Sequence, residues 1–357
     1  MKAVELRRLR LSAQGIGFPR QSAGAVVRRL GAMQAQDYLG ALLAIGLRVS
    51  GATEAFIEQA VRDREIVRTW PMRGTLHFVA PEDVRWMLAL LSPRIVAGAA
   101  TRHRQLELDD AVFRRSRTLL EKALQGGKEL TRDAAYGLLE DAGISCNGQR
   151  GYHILWKLSQ DAVLCGGPRE GKQPTFVLLD EWVPESRTLE PDEALAEIAR
   201  RYFTSHGPAT LADFVWWTGL KVTDAKRGLG LVSPELEKTV ADGETYWMSR
   251  SLAADAPRKQ GVHLLPGFDE FLLGYKDRSA MLAAEHAGRI VPGNNGMFLP
   301  MLVVDGEVKG TWKRTLRKKS VAVDFEAFGE LPGRVATDAR KAAERYAEFL
   351  GLTLELS

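Results

Sequence analysis

Cysteine is scarce in this sequence: Cys146 and Cys165 are the only two in 357 residues. With no C-x-x-C between them, the spacing of a zinc site, a redox pair or a disulfide framework is missing. Long apolar runs are missing as well, since nothing approaches the about 18 uncharged apolar residues of a membrane helix. The opening "MKAVELRRLRLSAQ" has no signal-peptide apolar core, and its arginines suit an amphipathic helix instead. No G-x-G-x-x-G opens a helix, and there is no P-loop, paired Cys/His cluster or serine-nucleophile motif. Nucleotide, metal and serine-hydrolase chemistry therefore have no positive support. The expectation is a chain of a reducing cytoplasm, with no cofactor, no metal and no membrane partner.

What is present is ordinary in amount and uneven in place. At 45% hydrophobic and 26% charged residues, the chain can fill two or three compact units. Its net charge of +4 conceals an asymmetry. Residues 1–122 hold 20 Lys and Arg against 12 Asp and Glu, whereas residues 123–357 hold 29 against 33. Arginine dominates the basic end, and its planar fork matches phosphate oxygens. A nucleic acid is the partner such a charge balance fits; a solvated surface in an arginine-rich chain fits it equally.

Periodicity divides the chain into similar pieces. Val4, Leu6, Leu9 and Leu11 mark a first helix, Val26, Val27, Leu30 and Met33 a second, and "DYLGALLAIGLRV" a buried third. Thr53 caps a fourth, with Phe56, Ile57, Ala60 and Val61 facing inward. "EIVRTWPMRGTLHFVA" then reads as a hairpin around Pro71-Met72-Arg73-Gly74. Helices followed by a hairpin are the layout of a winged helix, predicted over residues 1–125. A second module over 126–188 has Thr131 as cap, Ile154, Leu155 and Leu158 inside, and a Gly-rich basic turn. A third over 189–255 has Thr210 as cap and Asp242-Gly243 as its hairpin turn. Residues 256–357 form a mixed, strand-rich end with turns at Asn294-Asn295-Gly296 and Asp305-Gly306 and a last helix stopping at Gly351. The fold class expected is α+β.

Within the first module, "GAMQAQDY" places Gln34 and Gln36 two residues apart. Residues i and i+2 point roughly 200° apart on a helix but share a face when extended. If both act on one target, the helix stops near Met33 and the motif is extended. Each neutral amide offers an acceptor oxygen and two donor hydrogens, able to hold a water or grip a base edge. It cannot take a proton as a carboxylate does, so it serves a leaving group that already departs easily. Two amides that merely cap helix ends or hydrogen-bond the backbone are the competing reading.

"RLGAMQAQDY", "RTWPMRGTLHFVAPED", "LLPGFDEFLLGYKDR" and "VDGEVKGTWKR", in that order and spanning nearly the whole chain, resemble the tandem winged-helix family of bacterial DNA glycosylases. That family excises bulky N7-alkylated purines and unhooks interstrand crosslinks. The resemblance implies a C-shaped arrangement of three winged helices around duplex DNA. Its motif of Gln, an aliphatic residue, then Gln or Asp is matched by Gln34-Ala35-Gln36, with alanine smaller than the usual branched residue. It implies a monofunctional, metal-independent glycosylase, with Gln36 positioning the water and Gln34 as its partner. Asp37 either helps electrostatically or caps the helix that follows. Full flipping of a bulky or crosslinked base would strain it, so an open site is expected.

DNA contacts are expected from Arg68, Arg73 and His77 on the first hairpin and from Arg169 and Lys172 on the second turn. Lys309, Lys313, Arg314, Arg317, Lys318 and Lys319 surround Trp312 in a further basic run that suits phosphate. A lone histidine such as His77 more often packs than acts, and a basic strand is as often a solvated surface. Asp269 and Glu270 read as structural, tying the last region down through Arg278, and Trp216-Trp217 reads as core. The alternative function is a non-catalytic winged-helix DNA-binding protein such as a transcription regulator. Regulators are usually dimers reading two half-sites; three modules in one chain favour a monomer, cytoplasmic and nucleoid-associated when on DNA.

Overall fold

A computed structural model describes residues 1–17, 22–252 and 261–355 of the chain. The start of the second predicted helix and the boundary expected at 255/256 lie outside those residues. Packing divides the molecule into two compact units, one of residues 1–58 with 195–357 and one of residues 59–194. This division differs from four consecutive segments, because the first predicted module contributes to both units.

In the unit of residues 59–194, five strands lie in the order Thr75–Val79, Val67–Met72, Leu164–Gly166, Thr175–Leu178 and Leu130–Thr131. The two predicted hairpins are thus joined edge to edge, Arg68 pairing with Gly166. The first turns at Arg73 and Gly74, with φ of +54° and +70°; two positive φ values give the primed turn whose twist matches antiparallel strands. Its register slips between Thr69 and Met72, where Pro71 has no N–H to offer the ladder. Helices Asp110–Leu124, Arg132–Asp141 and Arg150–Gln160 share one apolar core with Trp70 and Phe176. Thr131 caps the second of them, its Oγ1 accepting from Ala134 N at 3.2 Å.

The other unit joins short helices to a five-stranded sheet ordered Thr353–Glu355, Ser320–Ala327, Glu307–Leu316, Met301–Val304 and Val262–Leu265. All its pairs are antiparallel except that of Ser320–Ala327 with Thr353–Glu355. Asp305-Gly306 and Asp242-Gly243 form the predicted turns, each with φ near +45 to +50° then above +80° or at it. Helix Gly333–Leu350 lays Ala339, Ala342, Ala343, Tyr346, Ala347 and Phe349 inward and ends at Gly351 with φ +67°; a residue without Cβ adopts that cap cheaply.

Several expectations change. Within the end expected to be strand-rich, "FDEFLLGY" is helical instead: Asp269 caps a short helix, Glu270–Leu273, after the Pro266-Gly267 break. No strand covers Asn294 to Pro300, where a 3-10 turn at Pro292–Asn294 precedes the strand Met301–Val304. Phe56, expected inside, is 45% exposed, and Val4 of the first helix is 61% exposed. Trp217 is core, but its neighbour Trp216 is 42% exposed, because consecutive helical residues point about 100° apart.

Candidate active site

The glutamine segment begins where a helix is forced to end. Ala23–Leu30 is helical, Gly31 follows with φ +80°, and Ala32–Gln34 is a strand. Only glycine takes that φ without penalty, and a Cβ there would also sit 3.4 Å from Trp217. The helix therefore stops before Met33 and the motif is extended, as the one-target reading requires.

Extension lets the two amides engage each other. Gln34 Nε2 donates to Gln36 Oε1 at 2.8 Å, and Gln34 Oε1 accepts from Gln36 N at 3.1 Å. Ala35 between them is buried, pointing to the opposite face as alternation demands. Gln34 is 6% exposed, while Gln36 is exposed. The inner amide is thus fixed and the outer one held by it, its Nε2 hydrogens and the remaining Oε1 lone pair facing water. Neither glutamine caps a helix, although Gln34 Oε1 does accept from a backbone N–H, which is one part of the competing reading.

Asp37 does cap one. Its Oδ1 accepts from Gly40 N at 3.2 Å at the start of helix Tyr38–Gly46. A Cβ on Gly40 would lie 2.5 Å from the Asp37 carboxylate, so the small residue belongs to the cap. The carboxylate remains exposed beside the amides. Its charge also reaches Tyr346, whose phenol is pushed up chiefly by burial, held back by Arg314, and pushed slightly further by Glu54 and Asp37.

Behind Gln34 stands a buried acid. Glu270 is 1% exposed; its Oε1 accepts from Gln34 N at 3.0 Å and its Oε2 from Trp217 Nε1 at 2.9 Å. His206 Nε2 lies 3.5 Å from the same Oε2. The neighbouring Asp269 turns the other way, bidentate to Arg48 at 2.8 and 2.9 Å, and also caps Phe271 N at 2.9 Å. Arg48 is held further by Gln14 O, Gln14 Oε1 and Ala44 O. A second buried pair, Arg10 with Asp213 at 3.5 Å, has the guanidinium 3.9 Å over the Tyr275 ring. Asp269 is thus tied down by Arg48, where the sequence suggested Arg278. The Arg278 guanidinium donates to Leu272 O and lies over Trp216 and Phe298.

Of the residues expected to meet DNA, His77 is the one the structure turns away. It is fully buried, its Nδ1 2.9 Å from Thr75 O and its Nε2 3.2 Å from Arg73 Nη2. It meets Arg73 at the turn, and alternation along the strand puts it on the inner face. Arg68 lies half-buried in the middle of the hairpin; Lys172 lies inside a small turn closed by Glu170 and Gln173, and Arg169 just before it. The basic run does not act as one patch. Arg314 bonds Tyr346 Oη on the helix side, Arg317 meets Glu355, and Lys309 meets Glu307 at 2.6 Å. Lys313 is exposed opposite Asp324, with Lys318 and Lys319 in the exposed turn beyond. Trp312 is core, donating to Leu265 O at 2.8 Å.

Glu270, Trp217 and His206 escaped the sequence reading as neighbours of the motif. Paired acids in "GFDEF" were the available signal, but sequence alone could not say that the second acid reaches back 236 positions to Gln34.

The chain as a whole is similar to known DNA glycosylases. The sequence profile of the family described as DNA glycosylase AlkZ-like matches residues 27–349. An interstrand DNA cross-link repair glycosylase from Streptomyces sahachiroi is 29% identical over 339 residues, 87% of each chain. The solved structure of Streptomyces sahachiroi DNA glycosylase AlkZ superposes with a TM-score of 0.81 at 25% identity, covering 100% of both chains.

Proposed function

Because this chain belongs to the AlkZ-like DNA glycosylase family, we propose that it hydrolyses the N-glycosidic bond of N7-alkylated purines in duplex DNA. The observation that carries this reading is the interlocked pair, with Gln34 buried and Gln36 exposed. An N7-alkylated guanine is cationic and leaves as a neutral base, so the leaving group needs neither a proton nor a Lewis acid. What remains is to place one water and to stabilise the developing oxocarbenium charge.

Gln36 is suited to both tasks. Its Oε1 already accepts one hydrogen from Gln34 and retains a lone pair for the hydrogen of an attacking water. The Gln36 amide is oriented by the one hydrogen bond from Gln34 Nε2, and the Gln34 amide is itself fixed by Gln36 N, so the outer amide loses little rotamer freedom when the water binds. The Asp37 carboxylate adds negative charge near the forming cation without having to act as a base. The chain would work as a monofunctional glycosylase, since no lysine near the motif offers a nucleophile. We assign it a monomeric action with phosphate contacts at Arg68, Arg73, Arg169, Lys172, Lys313, Arg314 and Arg317. The S. sahachiroi relative is named for cross-link repair, and an exposed Gln36 suits a lesion that cannot be withdrawn from the duplex. N7-linked interstrand crosslinks are therefore included among the proposed substrates.

The test is base release from a duplex carrying one N7-methylguanine, and unhooking of an N7-crosslinked duplex on a denaturing gel. Wild type should release base with time, and Gln34→Ala and Gln36→Ala should lose at least about a hundredfold in rate with DNA affinity kept. No release by wild type from either substrate, with binding intact, would leave a DNA-binding protein without this catalysis.

A further inference from the structure

We infer that His206 and Glu270 share a single buried proton, and that this proton keeps Gln34, and through it Gln36, in the working position. The inference rests on the glycosylase reading for its kinetic consequence, but not for the proton itself.

The argument is a count of hydrogens. Ser205 Oγ lies 2.7 Å from Arg201 O and 2.8 Å from His206 Nδ1. Two oxygens at 2.7 Å need a hydrogen between them, and a carbonyl has none to give. The serine proton therefore goes to Arg201 O, and Nδ1 must supply the hydrogen of its own contact. A neutral imidazole then has a bare lone pair at Nε2. That atom is buried, and its polar neighbour is Glu270 Oε2 at 3.5 Å, too long for a good hydrogen bond. Glu270 already accepts from Gln34 N and Trp217 Nε1, so its oxygens are set as acceptors. Two acceptors would face each other in a dry site unless one proton lies between them, as imidazolium with carboxylate or as imidazole with carboxylic acid.

The surroundings confine that proton. Tyr202 stacks on His206 with ring centroids 4.7 Å apart, Trp217 lies at 5.2 Å and Tyr275 at 6.0 Å. Tyr202 donates to Gly274 O and Tyr275 to His206 O, so neither phenol offers its hydrogen to Nε2. Arg48 and Arg10 face the same interior, each committed to its own carboxylate, Asp269 and Asp213. Burial pulls the imidazole pKa down, with Glu270 pulling it partly back and the two arginines lowering it slightly. Gly274 packs so closely that a Cβ there would meet the imidazole at 2.6 Å, leaving the ring no room to turn aside. When the proton is lost, Glu270 must rotate instead, and Gln34 N loses its acceptor.

Both residues are thus positioning residues. The rate constant for base release should fall about tenfold per pH unit on the alkaline side of the pair's titration, which the lowered imidazole pKa puts below the ordinary value of 6.5, while DNA affinity does not follow it. His206→Gln places an amide N–H where the proton was, so its rate should lose that alkaline limb. Folding of the variant is checked by circular dichroism and DNA affinity. Independently of activity, imidazole nitrogen shifts of 15N-histidine-labelled wild type should show Nδ1 protonated throughout and one titration coupled to Glu270. That titration should shift in Glu270→Gln. An alkaline limb that persists unchanged in folded His206→Gln, or an Nδ1 without its proton, would overturn the inference. A wild type that releases no base while the nitrogen shifts behave as stated would sink the glycosylase reading and leave the shared proton standing.

Discussion

In the unit of residues 59–194 the interior is closed by Trp70, Phe113, Leu120, Ile154 and Trp156, with rings and aliphatic chains in mutual contact. The unit of residues 1–58 and 195–357 instead runs two guanidiniums and three carboxylates through its interior: Arg10, Arg48, Asp213, Asp269 and Glu270, each at most 2% exposed. An apolar interior accepts exchanges of similar volume. A buried charge does not accept the loss of its partner, because the group left behind cannot be rehydrated. The first arrangement makes a scaffold; the second fixes a geometry. It is the second unit of this comparison that carries Gln34 and Gln36.

The contrast can be tested by perturbing each interior in turn. Asp269→Ala would strand the Arg48 guanidinium and uncap the Glu270–Leu273 helix, and should cost about 3–5 kcal/mol by urea unfolding. Base release should fall with it, because Glu270 then loses its place behind Gln34. A variant of unchanged urea midpoint would remove the distinction between the two units. Leu120→Ala, fully buried in the other unit, should cost about 3 kcal/mol through the cavity it leaves. Here the base-release rate per folded molecule should stay at the wild-type value, and Leu120→Met should cost less than about 1.5 kcal/mol.

A smaller effect is expected from His103 and His153, which sit with ring centroids 5.2 Å apart in the apolar unit. Burial lowers both pKa values from 6.5; His153 and then Lys157 add to the effect at His103, and Arg102 at His153. Between the folded and unfolded pKa the unfolded chain binds more protons, so stability is full above about pH 6.5 and is lost as pH falls below it. Urea midpoints measured across that range should decline on the acid side, and less so in His103→Phe. The smallest effect belongs to the surface. Arg117→Ala breaks an exposed i,i+4 pair with Glu121 and should change the urea midpoint by no more than about 0.5 kcal/mol of stability.

Much of the local structure was legible in the sequence because its signals are local. Thr53, Thr131 and Thr210 cap the helices predicted from them. Arg73-Gly74, Asp242-Gly243 and Asp305-Gly306 turn where their φ preferences require. The extended state of Gln34-Ala35-Gln36 was expected only on condition that both amides share a target, since two amides at i, i+2 meet only off the helix. The grouping of the segments was not legible. Whether the hairpin at Val67–Val79 closes its own module or pairs through Arg68 with Gly166 depends on a strand about a hundred positions away. Nor could a run of six basic residues show that Arg314 and Arg317 turn to Tyr346 and Glu355, since that depends on the helix and strand laid beside them.

By itself, then, the sequence determined the caps, the turns and the chemical character of the motif: neutral amides, fit for a leaving group that departs without help. Those properties depend on residue type and on neighbours within a few positions. Only the tertiary structure decided that Gln34 would be the buried, fixed member and Gln36 the exposed one. It also decided that Glu270, His206 and Trp217 would stand behind them. A buried polar group has to find its partner wherever the chain brings one, and that choice is made by packing across more than two hundred positions.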